Sequence, residues 1–262
     1  MIRSLFYLLV ILVALFIVAP LLMLMKEGMA QLPTAIQSKE VQFAIALSLK
    51  TSIISTIICL MLAAPIAQFL HHSAIKHYVM PFLYLPLALP HIVSGVALLL
   101  FFGHLGIGGL LERHFNLSFV FTQHGIILAQ VFVNLPFAIQ LLVVGLERLN
   151  GRQIFVARTL GASKWQCFYH VTLPLLKSTL IATVILTWSR ALGEFGAVIM
   201  VAGATRMKTE ILPTSIMLNL STGELDLAMA IAVILMMISL TCSLTCSLTF
   251  EYIFRGHRAD AR

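Results

Sequence analysis

Charged residues are scarce in this 262-residue sequence, because Asp, Glu, Lys and Arg together make up only 10% of it. Soluble globular chains average about 25%, and a folded domain of this size needs polar groups over most of its surface. Hydrophobic residues account for 60% of the chain, and the mean hydropathy is +1.01. The composition excludes a soluble enzyme and a disordered chain, and it predicts an integral membrane protein.

Cysteine and the usual catalytic motifs are also scarce. The four cysteines have no zinc-ligand spacing, and none lies in a predicted external loop, so neither a disulfide framework nor a zinc site is expected. The spacing of the nine histidines matches no metal-ligand pattern. The sequence contains no G-x-x-x-x-G-K-[ST] motif and no nucleophile elbow. We therefore expect no metal, no cofactor and no ATP hydrolysis by this chain itself.

Long apolar runs dominate what is present. About 20 apolar residues are needed to cross a bilayer as a helix, and six runs reach that length: 4–25, 46–70, 79–103, 124–146, 175–203 and 227–254. The first is longer than a signal-peptide core, so we expect a retained helix. No remaining stretch is long enough for a soluble domain. The sequence thus predicts an all-α membrane protein with one transmembrane domain over residues 1–262.

Lys and Arg residues are unevenly distributed between the two sides of the predicted bundle. Ten lie on the side of both termini, six on the other side, and Arg190 lies within the fifth run. Because cytoplasmic loops are enriched in Lys and Arg, both termini are expected to be cytoplasmic. The net charge of +7 then reports orientation, and no nucleic-acid ligand is needed to explain it.

The longest connection on that side, 147–174, has the signals of two short helices. Gly161 follows the first helical stretch, as a C-terminal cap would, and Ser163 can cap a second. Apolar residues occur in both stretches, for example Ile154 and Trp165. These side chains either pack back on the membrane helices or form a docking surface for a cytoplasmic protein.

The residues from Val156 to Pro174 resemble the EAA loop of ABC-importer permeases. Ala157, Gly161 and the Leu173-Pro174 pair are in register with that pattern, whereas Phe155 replaces its Glu and Val156 its first Ala. The resemblance implies a type I ABC importer fold in which this loop forms coupling helices that dock on an ATP-binding subunit. The residues it assigns to coupling are Phe155, Val156, Ala157, Arg158, Gly161, Ala162, Ser163 and Trp165.

A second resemblance narrows the family to oxyanion permeases. The stretch Arg190–Gly203, with Leu-Gly-Glu-Phe-Gly-Ala inside it, and the stretch Leu85–Gly95 are similar to segments of molybdate, tungstate and sulfate permeases. This likeness implies an inner-membrane homodimer, two ATP-binding cassette subunits, an extracytoplasmic binding protein and import of molybdate or tungstate. Sulfate or thiosulfate import is the alternative, and a heterodimer would favour it.

Arg190 and Glu194 are charged residues within an apolar run, where ionised side chains are costly and usually functional. Their i, i+4 spacing allows an ion pair on one helix face. The other interpretation is that both line the translocation path, where Arg190 offers a positive site to an oxyanion.

The third run contains Pro81, Pro86 and Pro90, which kink or break helices, and broken helices at membrane depth are typical of transport pathways. His91 and Ser94 follow directly. His91 is either a gate residue or a packed histidine bonded to a freed carbonyl.

The last external loop is expected to present charged residues to the binding protein: Arg206, Lys208, Glu210, Glu224 and Asp226. Two other classes of protein compete with the importer. A stand-alone channel or secondary transporter predicts internal repeats, and a membrane enzyme predicts titratable residues that converge at one membrane face. The sequence shows neither feature clearly.

Overall fold

The computed structural model describes residues 2–149 and 151–259 and contains only helices and connecting loops in these ranges. One π-helical segment, Phe168–Thr172, lies between the ninth and tenth helices. In chain order the α-helices are α1 (Ile2–Met29), α2 (Leu32–Gln37), α3 (Lys39–His72), α4 (Lys76–Ala88), α5 (His91–Phe102), α6 (Ile107–Phe115), α7 (Gln123–Glu147), α8 (Gly151–Thr159), α9 (Lys164–Cys167), α10 (Leu173–Leu192), α11 (Gly196–Ala202), α12 (Leu212–Ser221) and α13 (Leu225–Ala259).

Five helical stretches are long and apolar enough to cross a membrane, and one bent helix pair makes a sixth. The five are Leu5–Met29, Lys39–His72, Gln123–Glu147, Trp165–Leu192 and Leu225–Thr245. The bent pair is α4 with α5. The predicted all-α fold with up to six spans is thereby confirmed for the described part of the chain.

The third predicted run is a broken span, since α4 and α5 meet at an angle of 104°. Pro81 and Pro86 lie inside α4 without ending it, and the break comes at Leu89 and Pro90. A residue before proline is disfavoured in the helical region, and Leu89 has an extended backbone with ψ of 145°. Pro90 therefore decides where the span turns.

The fifth predicted run begins earlier than expected and is interrupted before its end. Helical structure continues from Lys164 through the π-helical segment into α10, so the second short loop helix is joined to the membrane span without a break. The helix then ends at Leu192, and α11 starts separately at Gly196. The predicted run 175–203 therefore comprises most of α10, a three-residue break and α11.

Three apolar clusters hold the bundle together. One joins α3 to α4, α7 and α10 near the end where α8 and α9 lie, which we call the loop end. A second, at the opposite or far end, packs α3 and α7 against α5 and α11. A third joins α3 to α12 and α13. Helix α1 packs beside α13, and its membrane-length window has no buried residue in this single chain.

Candidate functional site

The two helix breaks lie side by side because α5 and α11 approach closely. A Cβ atom at Gly95 would lie 2.9 Å from the Cα atom of Ala197, and one at Gly196 would lie 2.9 Å from the Cβ atom of His91. Both distances are too short for real contacts, so only glycine fits at these two positions. Small residues permit such close helix packing in membranes. The break at 89–90 and the break at 193–195 are thus held at one place in the bundle.

A buried hydrogen bond joins the two breaks. The Nδ1 atom of His91 lies 2.9 Å from Oε2 of Glu194, whose side chain is 2% exposed whereas that of His91 is 38% exposed. The other carboxylate oxygen, Oε1, accepts the backbone N–H of Ala197 at 3.0 Å. A carboxylate is an acceptor only, so Nδ1 of His91 carries the proton in this bond. Glu194 therefore fastens the start of α5 to the start of α11.

Arg190 is held by α7 and does not contact Glu194 as an ion pair. Its Nε atom donates to Oδ1 of Asn134 at 3.3 Å, and its guanidinium carbon lies 4.8 Å from the centre of the Phe137 ring. A guanidinium within about 6 Å of a ring centre gains a cation–π attraction. The ion-pair interpretation of Arg190 and Glu194 is therefore wrong. Helix α10 ends at Leu192, so the i, i+4 geometry does not extend to Glu194.

The amides of α7 extend this polar cluster to the end of α10. Asn134 donates through Nδ2 to the carbonyl oxygen of Gln130 at 2.8 Å, and Gln130 donates through Nε2 to the carbonyl oxygen of Ala191 at 2.9 Å. Both amide side chains are buried. The Ala191 carbonyl lies in the last turn of α10, where helical partners run out. Gln130 thus stabilises the interrupted helix and places Arg190 beside Asn134.

Ser94 lies one helical turn after His91 on α5 and is also buried. Its Oγ atom has no hydrogen-bond partner among the residues that the structure describes, and the same holds for Oε1 of Gln130 and Oγ1 of Thr187. Buried polar atoms normally have a partner. These three oxygen atoms therefore have hydrogen-bonding capacity that the described residues leave unused.

The 147–174 loop has well-formed caps on both sides of Gly161. Gly161 has φ of +89°, its N–H donates to the carbonyl of Arg158, and the N–H of Ala162 donates to the carbonyl of Ala157, both at 3.1 Å. This pair of bonds is a Schellman motif. Ser163 then forms a capping box, because its Oγ accepts the N–H of Gln166 at 3.2 Å and its N–H donates to Oε1 of Gln166 at 2.8 Å.

The outer surface of this loop is apolar. Helix α8 has no buried residue, and five large apolar side chains of the loop are about half exposed or more. They are Phe155 (68%), Val156 (48%), Leu160 (84%), Trp165 (71%) and Tyr169 (57%). Ile154 and Ala157 are only partly exposed on the opposite side of α8. An exposed apolar patch of this kind is typical of an interaction surface.

Residues 55–250 match the model of a known family, described as "Binding-protein-dependent transport system inner membrane component". The match covers most of the chain. The chain belongs to this family. It is an integral multi-pass permease of the inner membrane, as the resemblance to ABC-importer permeases implied.

Similar proteins are named as permeases of molybdenum and sulfate transport systems. The chain is 38% identical over 201 residues to the molybdenum transport system permease protein ModB of Mycobacterium bovis, with 74% of each protein covered. It is 35% identical over 190 residues to the sulfate transport system permease protein CysW of Synechococcus elongatus, which covers 71% of this chain and 66% of the relative.

Solved structures show the same fold at low sequence identity. A bacterial alginate ABC transporter, crystallised with an alginate-bound periplasmic protein, has a chain that superposes with a TM-score of 0.76. The identity is 17%, and the match covers 96% of this chain and 94% of that one. This similarity confirms the predicted fold.

The structure brings together some predicted site residues and separates others. His91 and Glu194 are in direct contact, and Ser94 lies on the same helix as His91. His91 bonds a carboxylate, so it is not the carbonyl-bonded histidine that was one of the two alternatives. Arg190 is bound separately by Asn134.

The expectation that the charged residues of the last external loop are exposed was wrong for Glu210, and Arg206 is only partly exposed. Glu210 is fully buried, and its Oε1 accepts the hydroxyl of Ser215 at 2.7 Å. Arg206 forms an ion pair with Glu40 and donates to Oδ1 of Asn219 at 3.1 Å. The other three charged residues, Lys208, Glu224 and Asp226, are exposed as expected. The segment folds inward because Leu212 donates its N–H to Ser48 of α3 at 2.7 Å.

Several polar residues of the site were missed by the sequence reasoning. Asn134 and Gln130 are the partners of Arg190 and of the α10 terminus, and Ser52 accepts the indole N–H of Trp188 at 2.9 Å. A pattern was nevertheless present in the sequence. Hydroxyl residues recur on α3 at helical spacing, and all five are buried: Ser48, Thr51, Ser52, Ser55 and Thr56. Such a row on an apolar helix indicates a face turned towards protein.

Proposed function

We propose that this chain is the membrane subunit of an ATP-driven importer for a tetrahedral oxyanion, with molybdate or tungstate as the substrate. The support for the substrate is the similarity to the molybdenum permease. This similarity is higher in identity and covers more of both proteins than the similarity to the sulfate permease. The support for import is family membership, because the family is binding-protein-dependent. An extracytoplasmic binding protein then delivers the anion.

The proposed ATPase contact is the exposed apolar patch of the 147–174 loop. Phe155, Val156 and Trp165 supply the apolar area, and Arg158 adds a charge. Gly161, Ala162 and Ser163 set the angle between α8 and α9 through their caps, and Ala157 lies on the side of α8 opposite to the patch. Two ATP-binding subunits dock on two copies of this chain, which places the loop and both termini in the cytoplasm. Helix α1, whose membrane-length window has no buried residue in the single chain, is compatible with such a homodimer in a lipid bilayer.

The proposed translocation path passes the two helix breaks. His91, Ser94, Arg190 and Glu194 line it. Arg190 offers a positive charge to the oxyanion, and the carboxylate of Glu194 prevents that charge from holding the anion too tightly. The Ser94 hydroxyl supplies a hydrogen-bond donor, because the Nδ1–H group of His91 is already bonded to Glu194.

Coupling between the two sites follows from one continuous helical stretch. Helical structure from Trp165 to Leu192 spans 28 residues, roughly 40 Å at the α-helical rise. One end carries the docking patch and the other ends at the break beside Glu194. A displacement of the loop by ATP binding therefore moves the end of α10 relative to α5. This movement opens one side of the path and closes the other.

Sulfate import is the second candidate, and the sulfate permease relative favours it. The test is uptake by proteoliposomes that contain this chain, its ATP-binding subunit and its binding protein, with molybdate, tungstate and sulfate supplied in turn. We expect ATP-dependent uptake of molybdate and tungstate. Uptake of sulfate alone would assign the second candidate, and anion uptake without the ATPase subunit would contradict the importer.

A further inference from the structure

Two cavities of different chemistry adjoin each other beneath the 147–174 loop. The first, which we call the apolar cavity, has a volume of about 660 Å³ and is open on one side. It lies between α3, α7 and α10 and is lined almost wholly by apolar side chains, among them Pro65, Leu142, Trp165, Leu176 and Leu180. Its volume lies within the usual range for small-molecule sites, about 300–1,000 Å³.

The second, the cationic cavity, has a volume of about 450 Å³. It is lined by His71 and His72 at the end of α3, by Arg158 of α8, and by the hydroxyl-bearing Thr172. Among the residues that the structure describes, no Asp or Glu lines it. The Nδ1 atom of His71 is buried and has no hydrogen-bond partner among the described residues. This cavity therefore offers the positive charge of Arg158 and the hydrogen-bonding groups of two histidines and Thr172 to an anion.

The two cavities are parts of one larger site. Gln68, Leu146 and Phe168 line both. The site thus has an apolar portion that reaches towards the middle of the bundle and a cationic portion at the loop end. The apolar portion lies at the level where α3 and α7 approach their ends at His72 and Glu147. With the loop end on the cytoplasmic side, as proposed above, the ends of these membrane-crossing helices are expected to lie where the hydrocarbon gives way to the headgroups.

We propose that this composite site binds one anionic phospholipid of the cytoplasmic leaflet. An acyl chain occupies the apolar cavity, and the phosphate lies in the cationic cavity against Arg158 and the histidines. Basic pockets between membrane helices on the cytoplasmic side are suited to anionic headgroups. Trp165, which is 71% exposed at the rim, has the amphipathic character of side chains at the membrane interface.

The consequence concerns the coupling loop itself. Arg158, Cys167 and Phe168 all belong to the loop or to the helix that continues from it, and all line the cationic cavity. A lipid seated there contacts the loop from beneath α8, and Trp165 and Arg158 border both this site and the exposed patch. Lipid composition therefore changes the position and stiffness of the loop, in addition to any contact with the ATPase subunit.

The test uses the fluorescence of Trp165 in the full chain reconstituted into vesicles. The chain has two tryptophans, so Trp188→Phe leaves Trp165 as the reporter. Phosphatidylglycerol with brominated acyl chains, present as a minor lipid in phosphatidylcholine, quenches a tryptophan that it touches. We expect the brominated phosphatidylglycerol to quench Trp165 fluorescence in a saturable way. The quenching should exceed what random contact predicts from the mole fraction of brominated lipid in the vesicle. Brominated phosphatidylcholine at the same fraction should give only the mole-fraction value.

Matched variants locate the lipid. Ala64 lines the apolar cavity, and Ala64→Phe fills it, whereas Leu62→Phe adds a ring to the same helix at a position that does not line it. Only Ala64→Phe should lower the quenching by brominated phosphatidylglycerol to the value that its mole fraction predicts. Arg158→Gln should lower the preference for the anionic lipid about fivefold, the usual effect of one basic residue near a membrane surface. Arg148→Gln, outside both cavities, should have little effect.

Three outcomes would overturn the proposal. Quenching that follows the mole fraction in the unchanged chain means that bulk lipid only wets the rim of the cavity or that another protein chain fills it. Selective quenching that survives Ala64→Phe places the lipid elsewhere. Equal effects of Arg158→Gln and Arg148→Gln mean that general surface charge, and not the cationic cavity, attracts the lipid.

Discussion

Gly161 provides the sharpest test of the loop geometry. Its φ of +89° lies in the left-handed region, and no atom lies within 4 Å of the place where a Cβ would be. A substitution to Ala therefore adds no steric clash and acts through the backbone alone. Left-handed conformations cost an L-residue about 1–2 kcal/mol. We expect Gly161→Ala to destabilise the Schellman motif by that amount, and Gly161→Val by more.

Gly151 in the same loop supplies the matched control. It also has open space around its would-be Cβ, but its φ is not positive. Gly151→Ala should therefore be neutral or slightly stabilising, since alanine is favoured over glycine in a helix. Asn tolerates the left-handed region better than other side chains. Gly161→Asn should therefore destabilise the Schellman motif much less than Gly161→Ala does.

Hydrogen exchange measures the local effect. The N–H groups of positions 161 and 162 donate to Arg158 and Ala157, and a loss of about 1–2 kcal/mol speeds their exchange roughly fivefold to thirtyfold. ATP-dependent anion uptake should fall in the same order, with Val lowest and Asn closest to Gly, while the amount of chain in the membrane stays unchanged. If the Gly161→Ala and Gly151→Ala variants show the same amide exchange rates and the same anion uptake, the cap does not set the loop geometry.

Three further predictions concern the remaining contacts. His91→Ala and Glu194→Gln should each lower thermal stability in detergent. A double-mutant cycle should give a coupling energy of about 1.5 kcal/mol, which is the low end for bonds to charged groups because His91 is partly exposed. Strictly additive effects of the two substitutions would rule out a direct bond. Arg190→Gln should slow the initial rate of oxyanion uptake more than Arg190→Lys, which keeps the charge, and equal rates would contradict a role in the path. Ser163→Ala should weaken binding of the ATP-binding subunit through the loss of about 1 kcal/mol of capping, with Ser163→Thr close to unchanged in a binding titration. Weak binding by both variants would point to a contact of Ser163 itself.

Features that depend on neighbours in the chain could be predicted from the sequence. The apolar runs identify the spans because a bilayer requires about 20 apolar residues for each crossing helix. Gly161 and Ser163 were predicted as caps, and the structure has both motifs, since a cap is decided within about five residues. Pro90 likewise marked the broken span through its local effect on Leu89.

Contacts between distant parts of the chain were less accessible. Arg190 and Glu194 are four residues apart, and the sequence allowed them to pair on one helix. The break after Leu192 separates them, and each finds its partner on another helix, Glu194 with His91 and Arg190 with Asn134. Glu210 was wrongly expected at the surface. Its burial depends on how residues 209–215 fold against α3, which is again a contact between distant parts of the chain.

The amino-acid sequence by itself determined that this chain crosses a membrane several times, that its largest basic loop has a glycine-hinged pair of helices, and which family it resembles. Each of these properties rests on composition, period or local capping, which act over a few turns of chain. Only the tertiary structure decided that the two helix breaks meet, that a buried carboxylate fastens them, and that an apolar cavity and a cationic one adjoin beneath the loop. Those features arise where helices far apart in sequence pack together, and the packing selects one partner among several that the local sequence permits.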